Sequence, residues 1–155
     1  MFFSCLAKLE HEMSLLYEAM VEKTEDLAVK PLLIFLLEDT RKHRMICEHI
    51  SKVKSEPYPV RIDECEKEVG TEFKRSIDYT RSLRDKFQKG MPLLDVVMKL
   101  VEYDEFIGEE YLTLLYSRMR FILTKENEIQ KILEYIADDE ERHKEILELV
   151  IGSAR

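Results

Sequence analysis

The chain of 155 residues has no Trp, four Gly, four Pro and three Cys. So few helix breakers leave room for long uninterrupted helices. No period-two run with hairpin turns occurs, so strands are not expected. The cysteines Cys5, Cys47 and Cys65 form no C-x-x-C pair, which excludes a zinc ribbon or rubredoxin-type iron site. Their odd, sparse count points to isolated thiols, with Cys47 and Cys65 as small core residues, and to a reducing, cytoplasmic compartment. No apolar run approaches ~20 residues, so no membrane span is expected. The apolar start, Met1 to Leu6, is too short for a signal peptide and is interrupted by Lys8, Glu10 and Glu12. Asn127 is the sole asparagine. With heavy Lys and Glu use, this hints at a thermophilic source.

What is abundant is charge, with a net value of −8. Lys and Arg are scattered among Glu and Asp. No basic stripe interleaved with aromatics exists, so nucleic acid is not an expected partner. An acidic surface attracts cations instead.

Apolar residues recur at helical spacing in five stretches. The first, about Phe2 to Thr24, carries Leu6, Leu9, Met13, Leu16, Tyr17 and Met20. The second, about Leu27 to Lys52, tolerates Pro31 in its first turn. Pro57 and Pro59 then mark a linker. The third, about Asp63 to Lys89, carries Cys65, Val69, Phe73, Ile77, Leu83 and Phe87 and stops at Gly90. The fourth spans about Leu93 to Leu123 and the fifth about Glu126 to Ile151.

The halves resemble each other. An offset of 100 lays Leu33, Phe35, Leu36 and His43 on Leu133, Tyr135, Ile136 and His143. An offset of 95 lays Leu6, Glu10 and Tyr17 on Val101, Glu105 and Leu112. The expected fold is all-α. Two helical hairpins, about 1–52 and 93–151, form an antiparallel four-helix bundle, with an additional helix in the long crossover at about 61–90. One domain spans 1–155 in this reading.

Polar residues inside the apolar stripes carry the chemistry. In the fifth stretch Glu140 and His143 share a row with Leu133, Ile136 and Leu147. Burying that pair without partners would cost several kcal/mol. A metal removes the penalty, because carboxylate oxygen and neutral imidazole suit Fe, Mn or Zn. Glu10, His43 and Glu105 lie in the stripes of the first, second and fourth stretches, with Asp104 as the rival of Glu105. His11 and His49 fall off the stripes and read as surface residues.

With these residues in view, the chain resembles the ferritin-like di-iron carboxylate superfamily, closest to rubrerythrins without their rubredoxin domain. That family takes one Glu from each of two helices and Glu-x-x-His from each of the other two. Glu10, Glu105, Glu140 and His143 match. The second helix departs, reading Thr40-Arg41-Lys42-His43, with Thr40 where a Glu belongs. The resemblance implies metal ligands Glu10, His43, Glu105, Glu140 and His143, and a redox-assisting Tyr17. It implies two Fe ions, or one with Mn or Zn, and neither haem nor nucleotide. It also implies an oxidoreductase acting on O2 or peroxide, or on ferrous iron, with an external electron donor and a homo-oligomeric, dimeric or larger, assembly. The alternative is a non-enzymatic dimerisation module with a decayed metal site, presenting the stripe of the third stretch to a partner.

Overall fold

In the computed structural model, residues 1–102 and 127–153 are described, and every regular element among them is helical. Helices α1 (Phe2–Lys23), α2 (Val29–Val53), α3 (Ile62–Val69) and α4 (Thr71–Gln88) come first. Helix α5 covers 93–102 of the fourth expected stretch. Helix α6 (Asn127–Ser153) closes the order. None of the described helices is long and apolar enough to cross a membrane. The chain divides into two compact units, Met1–Val96 and Val97–Arg155.

In the first unit α1 is central, packing against α2, α3 and α4. This explains its composition. A helix covered on several sides is buried nearly all round, and Ser4, Cys5, Ala7, Glu12 and Ser14 are withdrawn along with the apolar stripe. Helix α2 runs antiparallel to α1, since Glu18 meets Arg41 while His11 meets Arg44. Helix α4 runs parallel to α1. Glu12 meets Arg81, and Lys23 reaches the carbonyls of Phe87 and Gln88.

The ends of these helices follow from local chemistry. Glu56, in the linker after α2, accepts from the backbone N–H of Ser4 at 2.9 Å. A carboxylate thus covers donors and the positive dipole end of α1's first turn. Asp26 does the same for α2, accepting from the N–H groups of Ala28 and Val29. The linker carries a cis Tyr58–Pro59 bond.

Two expectations change here. The third stretch is two helices, broken at Gly70, whose φ of +103° lies where L side chains rarely go. The apolar period runs unbroken across this residue, so a single helix was the natural sequence reading. Its stripe of Val69, Phe73, Ile77, Leu83 and Phe87 is buried, with α4 lying on α1. It is core of the first unit and not a partner surface.

The cysteines also change. Cys5 and Cys65 form a disulfide that ties α1 to α3 across 60 residues, and both are fully buried. They are therefore not isolated thiols, and the sparse count no longer argues for a reducing compartment. Cys47 is buried on α2 and takes part in no disulfide, consistent with a small core residue.

Burial of Glu12 needs an explanation, and α4 supplies it. Arg81 donates to Glu12 Oε1 at 2.6 Å, and Arg84 stands 3.7 Å from the buried Oε2. Burial pushes the carboxyl up, but the Arg81 hydrogen bond and the two guanidinium charges outweigh it, and the net shift is downward. The folded value then lies below the unfolded one. The stabilisation is full above about pH 4.5 and lost as pH falls through the folded value. We expect Glu12→Gln to lower the urea stability by about 1 kcal/mol at neutral pH, modest because Arg81 is half exposed. The gap from wild type should narrow as pH falls below about 4.5; an equal gap on both sides of that pH would assign the effect to packing.

Candidate metal centre

Each unit carries a carboxylate–imidazole couple, buried on both sides in the first unit and joining a half-buried Glu140 to a buried His143 in the second. In the first unit, α1 supplies Glu10 and α2 supplies His43. Glu10 is 5% exposed and His43 0%. Glu10 Oε1 stands 3.6 Å from His43 Nδ1, beyond hydrogen-bond range. In the second unit, α6 supplies both members, one turn apart. Glu140 Oε2 stands 3.4 Å from Nδ1 of the buried His143. Two donors each about 2.1 Å from one tetrahedral ion would stand about 3.4 Å apart. Each couple, taken by itself, therefore fits an ion held between its own two members in separation and in donor chemistry.

Helical periodicity makes these couples. His43 takes its place between Leu36 and Cys47, all buried, and His143 holds the matching place between Ile136 and Leu147, also buried. The inward row expected for α6 is otherwise largely kept. Leu133, Ile136, Leu147 and Val150 are buried, whereas Glu140 is half-buried. Glu105 and its rival Asp104 lie outside the described residues.

Thr40 is 1% exposed, and its hydroxyl donates to the Leu36 carbonyl at 2.8 Å. Its polar atom is thus satisfied within α2 and needs no metal. Tyr17 is buried on α1, two turns beyond Glu10 and about 10 Å further along the axis.

Two acids outside the ligand set expected from the sequence, Asp39 and Asp139, are also largely withdrawn from water. Asp39 pairs with Lys42 on α2, and Asp139 pairs with Arg142 on α6, each pair one turn apart. Each acid lies four residues before its histidine, and Asp39 brings a carboxylate oxygen within 4.8 Å of a His43 ring nitrogen. The offset that aligns the histidines also aligns these acids, so the signal was present. It was masked because an acid beside a basic residue reads as a solvated ion pair.

His11 is half-buried rather than a plain surface residue. Arg44 Nη1 lies 2.8 Å from its Nδ1. Arginine only donates, so Nδ1 accepts and the ring proton belongs on Nε2. Burial and the Arg44 charge hold its pKa below the usual histidine value. His49 is exposed, as expected.

Compared with family models, curated proteins and solved structures, the chain matches none of them.

Proposed function

We propose that the chain is a rubrerythrin-like metalloprotein of the ferritin-like four-helix class, acting as an oxidoreductase on O2 or peroxide. The observation that carries this is the recurrence, in each unit, of a Glu–His couple at ligand spacing, with Glu10 and both histidines buried. The ligands are Glu10 and His43, and Glu140 and His143, with Glu105 completing the set that the sequence resemblance implies.

Iron in such a site supplies one-electron chemistry towards oxygen or peroxide. The protein's part is to hold hard anionic and imidazole donors in fixed rotamers, away from water. His43 and His143 bind as neutral rings, so metal binding weakens as pH falls. Tyr17 serves as a second-sphere hydrogen-bond or electron donor. The chain has no C-x-x-C, so the electrons come from an external donor. Ferrous iron oxidation is the closest relative of this activity.

A cytoplasmic home remains part of the proposal, and the Cys5–Cys65 bond adds a condition to it. Cytosolic disulfides are rare except in hyperthermophiles, which joins the proposal to the low Asn and high Lys and Glu content.

One observation favours a second reading. The inward hydroxyl of Thr40 bonds within its own helix, so the place of a family carboxylate is filled by a side chain content without metal. A decayed site in a non-enzymatic helical module accounts for that as well. Metal content separates the two. Anaerobic loading with Fe(II) is expected to leave at least one iron per chain, counted by elemental analysis after desalting. Glu140→Ala should lose it while keeping wild-type helicity. Wild-type protein that retains neither Fe nor Mn would sink the enzymatic reading.

A further inference from the structure

Helices α1 and α4 leave a groove of about 330 Å³ between them, lined by Leu15, Glu18, Ala19, Glu22, Arg84 and Gln88. Three rows make it, each of two residues one turn apart. Leu15 and Ala19 are its apolar row, and Glu18 and Glu22 run beside them on α1. Arg84 and Gln88 close it from α4. Ala19 explains the space, since its methyl group cannot fill a gap that a longer side chain would close. The volume falls at the lower end of small-molecule sites, which begin at roughly 300 Å³.

Charge is paired unevenly around this groove. Arg41 holds Glu18 at 2.6 Å. Glu22 is exposed and, among the described residues, has no ion-pair partner. On α4, Arg81 and Arg84 share one carboxylate, that of Glu12. Arg81 takes Oε1 at 2.6 Å, and Oε2 is buried without a hydrogen bond. Arg84 stands 3.7 Å from Oε2, too far to donate to it. The Arg84 side chain is only 25% exposed, and among the described residues it donates no hydrogen bond. A guanidinium carries five N–H donors, and withdrawing them from water without an acceptor is unfavourable. The groove thus has a surplus positive charge on α4, a surplus negative charge at Glu22 and an apolar row beside both.

We infer that this groove binds a short linear zwitterion, with a carboxylate at one end, an ammonium group at the other and methylenes between. The carboxylate accepts from Arg84 in the two-pronged geometry that a guanidinium offers. The ammonium group lies against Glu22, with the side-chain carbonyl of Gln88 as a second acceptor. The methylenes cover Leu15 and Ala19. An anion alone would be repelled by Glu22 and a cation alone by Arg84, so neither single charge gains what the pair does. None of the proposed metal ligands lines the groove, and the inference does not rest on metal binding.

An NMR titration of the full chain with 6-aminohexanoate provides the test. Hexanoate and hexylamine are the controls, because each keeps the same carbon chain and only one of the two charges. The zwitterion should give saturable amide shifts centred on the turns that carry Leu15 to Glu22 and Arg84 to Gln88. It should bind at least about tenfold more tightly than either control. Glu22→Gln should erase its advantage over hexanoate, and Arg84→Gln its advantage over hexylamine. Far-UV circular dichroism should show wild-type helicity in both variants. Glu22 is exposed and unpaired, so its variant decides the matter even if loss of Arg84 beside Glu12 disturbs the fold. A zwitterion that binds no better than the controls would reduce the groove to an unselective apolar contact and overturn the inference. So would the absence of saturable shifts, or a Glu22→Gln variant that binds as wild type does.

Discussion

Replacing Cys5 and Cys65 together by Ala is expected to lower the unfolding free energy of the first unit by about 4 kcal/mol. The bond closes a loop of 60 residues, and tying the unfolded chain at that separation removes about that much conformational freedom. It also ties the start of α1 to a short helix of eight residues, too short to be stable alone. Urea denaturation followed by circular dichroism measures the difference. A thiol count checks the bond directly, since unreduced, denatured wild type should titrate one thiol, that of Cys47. Three thiols would mean that the bond is not formed. Both sulfurs are buried, so reductant should reach them only when the chain opens. The rate of reduction should therefore follow the rate of unfolding.

That bond marks where sequence reasoning stops. Helix positions were readable because period and caps act over a few residues. α1 and α2 lie close to their expected bounds, set by Asp26, Thr24 and the proline linker. Pairing Cys5 with Cys65 needs the packing of α3 on α1, which no local signal encodes. Gly70 failed for the opposite reason. The apolar rows on its two sides stay in phase, and only a backbone angle reveals the break. The division into two units was likewise invisible, because a repeat predicts similar halves without saying how the chain groups them.

At the site, the legible part was the part that broke a pattern. Glu10, His43 and His143 stood out as polar residues in apolar rows, and all three are buried. Asp39 and Asp139 were obscured by the basic residue one turn along. Sequence also gave Glu12 no role beyond interrupting the apolar start. Its buried contact with Arg81 depends on α4 lying parallel to α1, an arrangement that only the fold supplies.

Thr40→Glu is expected to have the largest effect on metal binding. It places Glu-x-x-His on α2 and makes the second helix match α6. Without metal the change is unfavourable. Thr40 is 1% exposed, so a longer charged side chain must either displace neighbours or bury a carboxylate, at roughly 2–4 kcal/mol. At this chain length that corresponds to a melting temperature roughly 5–15 °C lower. Metal should reverse the loss, because a ligand that binds only the folded state at a hundred times its Kd stabilises by about 2.7 kcal/mol. The metal-induced rise in melting temperature should exceed that of wild type, and iron per chain should increase towards two. Thr40→Gln separates the causes. It shares the crowding but lacks the anionic oxygen, so it should melt early and recover little. Equal recovery in the Glu and Gln variants would mean that position 40 does not face the ion. Recovery in the Glu variant alone would show that a carboxylate at position 40 can serve as a ligand of the proposed metal.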